Sequence, residues 1–113
     1  MKLLDIKEVT NTNFEKEVLE ASCNQLVMLY YYGQFTLSCY RMNPGIENLA
    51  DNNLGVKIVR LIARNCELGQ RLSENFQINA FPVFIFYKNG KVVEVIKGRK
   101  DEQFFLNLFP KLN

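Results

Sequence analysis

The sequence predicts an α/β domain whose central mixed β-sheet is flanked by helices on both faces. The apolar run 26–32 lacks the alternation of a half-solvated strand and reads as a strand buried on both sides, and 56–62 reads as another strand. Helical periodicities stand between and around them. Later, the β-rich runs 81–87 and 92–96 flank Lys88-Asn89-Gly90-Lys91, and Asn-Gly between such runs is the strongest short hairpin signal. Strands alternating with helices and followed by an antiparallel hairpin combine both senses of pairing in one sheet.

The elements follow in order. Thr12-Asn13-Phe14-Glu15 has the form of a capping box, with Phe14, Val18 and Leu19 as an apolar stripe behind it, so a first helix is expected near 12–22. The run Leu26 to Tyr32 is the central strand, stopped by Gly33. Alternate strand residues point to opposite faces, which places Tyr31 away from Tyr30 and Tyr32 and makes all three candidate core residues. A helix from about Thr36 to Ala50 carries Met42, Ile46 and Leu49 on one face, with a bend expected near Asn43 because Pro44 removes a hydrogen bond. Strand 56–62 and a helix from Glu67 to Asn75, with Leu68 and Leu72 inward, complete a βαβα order. The hairpin follows, and a last helix from Asp101 carries Phe104, Phe105 and Leu108 at helical spacing.

Composition narrows the function. At 113 residues, 48% hydrophobic and 23% charged, the chain suits one compact domain over 1–113. A net charge of +2 with scattered Lys and Arg marks no nucleic-acid or anionic-membrane surface. The N-terminus turns charged after Leu3-Leu4, and no apolar run approaches the ~18 residues of a membrane span, so a soluble cytoplasmic protein is expected. Cys23, Cys39 and Cys66 are odd in number and widely spaced, which favours free thiols over a disulfide framework. The chain has no histidine, and no local pair of cysteines has a zinc-like spacing, so neither a metal nor a cofactor is expected.

The chemistry-bearing segment is Gly33-Gln34-Phe35-Thr36-Leu37-Ser38-Cys39, between the central strand and a helix. Together with strand 26–32, Pro44, Ile78-Asn79-Ala80-Phe81-Pro82, Tyr87-Lys88-Asn89-Gly90 and Gly98, it makes the chain resemble a thioredoxin over nearly its whole length. The resemblance implies the thioredoxin fold, with Phe35 where the family carries a tryptophan, Cys39 at the resolving cysteine and Pro82 at the cis-proline. Thr36 stands where the family has its attacking cysteine. Two further departures are Tyr30, where the family usually buries an acidic residue, and Leu37-Ser38 in place of Gly-Pro. Disulfide exchange needs a thiolate attacker and a second thiol, so T-x-x-C lacks half of that chemistry.

Each candidate residue has two readings. Cys39 falls in a first helical turn, where backbone N–H groups favour a thiolate, yet cysteine is also among the most buried residue types. Thr36 is a favoured N-cap residue whatever its chemistry. The favoured function is a thioredoxin-like member of the thiol and protein-redox network that binds polypeptide clients. The groove would lie between Thr36–Cys39 and Pro82, with Phe35, Leu37, Phe81 and Gly98 as an apolar rim, and a client would add as a short strand. An enzymatic alternative uses Cys39 alone. Phe35-Thr36-Leu37-Ser38-Cys39 is similar to the F-T-x-x-C of peroxiredoxins, which would have Cys39 attack peroxide and Thr36 orient it; that resemblance also calls for an arginine beside the thiolate, and Arg41 is close in sequence but on a helix. Mixed-disulfide exchange with glutathione or another thiol is the related form. A structural subunit whose groove is filled by a partner protein is the third reading.

Overall fold

The computed structural model describes residues 2–33, 36–52, 55–63 and 66–113. Strands β1 (Leu26–Tyr32), β2 (Val56–Ile62), β3 (Val83–Lys88) and β4 (Lys91–Lys97) form one sheet in the order β2-β1-β3-β4. β1 pairs parallel with β2, Leu26 opposite Val56 and Tyr32 opposite Ile62, and antiparallel with β3, Val27 opposite Tyr87 and Tyr31 opposite Val83. The β3–β4 hairpin turns at Asn89 and Gly90, both at positive φ (54° and 78°), the conformation that a two-residue hairpin requires. Helices α1 (Leu37–Asp51), α2 (Glu67–Asn75) and α3 (Glu102–Leu112) complete the α/β architecture.

The strand period divides the core. Leu26, Met28, Tyr30 and Tyr32 point to one face, where they meet Met42, Ile46 and Leu49 of α1 and Phe105 and Phe109 of α3. Val27, Leu29 and Tyr31 point to the other and pack with Val18, Leu68 and Leu72. Every residue of β1 is buried, which is why its sequence is apolar without alternation. α3 starts where Asp101 Oδ1 accepts the Phe104 N–H at 2.9 Å, and α2 where Cys66 Sγ accepts from Gly69 N–H at 3.4 Å.

Two expectations are corrected. The capping box at Thr12 does not form: Asn13 Oδ1 instead accepts the Thr10 N–H at 2.8 Å, and the Thr10 and Thr12 hydroxyls bond each other at 2.9 Å. Short polar side chains so close to the backbone compete with helix initiation. The helical segment therefore starts later, wide-turned over Glu15–Glu20 and tightened to a 3-10 turn over Ala21–Cys23. The strand expected from Phe81 begins at Val83, since Pro82 has no N–H to give a ladder.

The N-terminal segment is pinned to the outer edge of β2. Val9 N–H donates to Arg60 C=O at 2.8 Å, and Arg60 N–H to Lys7 C=O at 2.9 Å. Arg60 is buried at 7% exposure; its Nε donates to Ile6 C=O at 2.8 Å, and Nη1 donates to Glu8 Oε1 and the Tyr32 hydroxyl, both at 3.0 Å. One guanidinium thus closes a strand edge that would otherwise be open for pairing.

Candidate functional site

The site is built where β1 hands over to α1. β1 ends at Tyr32, and α1 starts at Leu37 with Thr36 as its N-cap residue, whose C=O accepts the Tyr40 N–H at 3.0 Å. The Thr36 side chain makes no cap bond, contrary to the cap role expected for it. Its hydroxyl is folded back against Gly33 instead, so closely that a Cβ on Gly33 would collide with Thr36 Oγ1. A side chain at position 33 would require the Thr36 hydroxyl to move.

Two turns of contact bring the remaining candidates together. The Gly33 position also lies beside the Phe81 ring, whose Cδ2 would stand 3.7 Å from a Cβ there. Phe81 packs edge-on against Tyr31, ring centroids 4.8 Å apart. The Phe81-Pro82 peptide is cis, Pro82 is buried, and Pro82 C=O accepts the Gly98 N–H at 2.9 Å. Leu37 is 61% exposed on the first turn of α1. Phe35, the remaining rim candidate, lies outside the described residues.

Cys39 sits beneath this surface. It is 1% exposed, and its Sγ accepts the Gly33 N–H at 3.3 Å. Burial pushes the thiol above its ordinary range; the Gly33 N–H and the Tyr30 hydroxyl pull the other way without cancelling it. Arg41, close to Cys39 in sequence, is exposed on α1. The three cysteines are free: Cys23 exposed, Cys66 half-buried, Cys39 buried.

Sequence reasoning missed the role of Tyr30. It is fully buried between the rings of Tyr32 and Phe84, at centroid distances of 4.7 and 5.4 Å. Its hydroxyl donates to Cys39 C=O at 3.1 Å and to Asn43 Oδ1 at 2.9 Å. Burial raises its pKa far above the ordinary phenol range, so it stays a neutral hydrogen-bond donor. A polar tip on a continuous aromatic run one turn before a proline-containing helix was the available signal. Tyr40, 74% exposed and three residues beyond Leu37, was also missed; helical spacing puts it on the same outer face.

Among the described residues, no group of three or more Cys, Asp or Glu could hold a metal ion, and no helix is long and apolar enough to cross a membrane. A family model for thioredoxin matches residues 5–109. The chain belongs to the thioredoxin family. It is 26% identical over 106 residues to the thioredoxin of Chlamydia pneumoniae, covering 94% of this chain and 97% of that one. Similarity extends to glutaredoxin-3 of Bos taurus, 26% identical over 93 residues, where 82% of this chain matches only 27% of the longer protein. Chlamydomonas reinhardtii thioredoxin f2 shares the fold at a TM-score of 0.80, with 19% identity and 96% of each chain covered.

Proposed function

We propose that this thioredoxin-like protein belongs to the thiol and protein-redox network but has an incomplete active site, and that it acts mainly by binding polypeptide clients. The groove runs between Thr36–Cys39 and Phe81–Pro82, with Leu37 and Gly98 at its rim, in one domain over residues 1–113 working in the cytoplasm. The observation that carries this reading is the buried Cys39 thiol, held in its protonated form by desolvation with threonine in place of a second thiol above it. A nucleophilic cysteine needs partial exposure, and Cys39 is 1% exposed. Family membership supports the network, and the exposed Leu37 and Tyr40 beside the turn support an interaction surface. Among the described residues, nothing pairs with the Phe81 backbone, so an extended client strand has a donor and an acceptor to meet there.

The test is amide chemical-shift titration with an extended peptide that contains no cysteine. Saturable shifts at Leu37, Phe81 and Gly98, retained in Cys39→Ala, are expected, together with no turnover of insulin disulfides. Dithiol-driven insulin reduction at the rate of a two-cysteine thioredoxin would overturn the reading, as would a peptide that leaves those three amides unmoved at millimolar concentration.

A further inference from the structure

A second cavity lies far from this groove. Its floor is Tyr87, near the end of β3 that pairs with Val27 at the start of β1; Val83, beside the proposed groove, pairs with Tyr31. Four strand steps of ~3.4 Å separate the two ends by about 14 Å. The cavity opens between the first helical segment and α2, with a volume of about 440 Å³. That falls within the ~300–1,000 Å³ of small-molecule sites. Phe14, Leu19, Leu72, Phe76 and Val92 supply apolar walls.

Tyr87 is what marks this cavity as more than a surface fold. The residue is only 3% exposed, and its ring meets Phe14 edge-on at 5.7 Å. Its hydroxyl has no hydrogen-bond partner among the described residues, yet it is not one of the sealed polar atoms of the core, so it opens on the cavity that the ring lines. Burial raises its pKa, which keeps the proton on the oxygen and makes it a donor without an acceptor. Arg71 of α2 lines the same cavity, exposed and without an ion pair among the described residues. Glu15 also lines the cavity, with no ion pair to Arg71 among the described residues.

We propose that this cavity binds a small amphipathic carboxylate, its aliphatic or aromatic body against Phe14, Leu72 and Phe76 and its head group accepting from the Tyr87 hydroxyl and the Arg71 guanidinium. Two donors without an acceptor among the described residues suit an acceptor on the ligand, and the cation favours a negative one. The apolar walls exclude a fully hydrated anion. Binding here is independent of the client groove and of Cys39.

The test is an amide chemical-shift titration of the full chain with decanoate, decanol and decylamine. Decanoate is expected to give saturable shifts at Phe14, Leu72, Phe76 and Val92 and none at Leu37 or Gly98. Decanol is expected to bind about tenfold more weakly, as the loss of one charge-assisted hydrogen bond implies. Tyr87→Phe keeps the buried ring, and Arg71→Gln keeps an exposed polar side chain; each should weaken decanoate by a similar factor without changing the thermal midpoint appreciably. No saturable shift at these amides, equal or tighter binding of decanol or decylamine, or unchanged decanoate affinity in both variants would each overturn the proposal.

Discussion

At Cys39 the chemistry turns on burial, because a thiolate in an apolar interior costs more than one helix turn and one N–H donor return. Alkylation of the native protein should therefore label Cys23 readily and Cys39 only on unfolding, which peptide mapping by mass spectrometry would read; native labelling of Cys39 at the Cys23 rate contradicts this. The same shift sets a pH dependence. The folded state holds the Cys39 proton above the ordinary thiol value of 9.0, so its contribution is whole below that pH and is lost as pH rises through the higher folded value. Urea midpoints should fall more steeply above pH 9 in the wild type than in Cys39→Ala. Tyr30 is the second decisive residue. Tyr30→Phe removes the donor to Cys39 C=O and Asn43 Oδ1 while keeping the ring stack, and should cost about 1–3 kcal/mol by urea denaturation. A cost near zero would mean that the hydroxyl contributes nothing net.

Between elements, the β1–α1 turn is the tightest junction of the site. Gly33→Ala should destabilise the protein by about 1–3 kcal/mol, the range for overpacking, because its Cβ meets the Thr36 hydroxyl. Thr36→Ala alone should cost less than the ~1 kcal/mol of a working N-cap, since its side chain makes no cap bond. The double variant should recover part of the Gly33→Ala loss, and strict additivity of the two would refute the contact. These elements were legible to different degrees. β1 carries an unbroken apolar run, β2 a run rich in β-branched residues and α2 a clean amphipathic face, and they fall on the residues that the sequence indicates. The first helix did not, because Thr10, Thr12 and Asn13 form local hydrogen bonds that a capping-box reading of 12–15 does not anticipate.

For the molecule as a whole, Arg60 joins three layers: the N-terminal segment, the edge strand and the buried Tyr32 hydroxyl. Arg60→Ala should cost about 2–3 kcal/mol, below the ~3–5 of a fully buried pair, because Glu8 is 31% exposed and can rehydrate. Hydrogen exchange should then show the Val9 amide losing protection before the amides of β1. If Val9 and β1 exchange together, the N-terminal segment is part of the cooperative core and not a separately released edge.

The sequence by itself determined the α/β order, the position of the strand-to-helix turn and the absence of a second thiol at position 36, because periodicity and residue identity are local properties. It also brought Thr36, Cys39, Phe81, Pro82 and Gly98 into consideration through family resemblance. Only the tertiary structure decided that Cys39 is buried, that Thr36 faces Gly33 rather than the helix end, and that Tyr30 and Tyr87 differ, one hydroxyl satisfied inside the core and the other open on a cavity. Solvation and hydrogen-bond partners come from residues far apart in the chain, so identity and spacing cannot specify them.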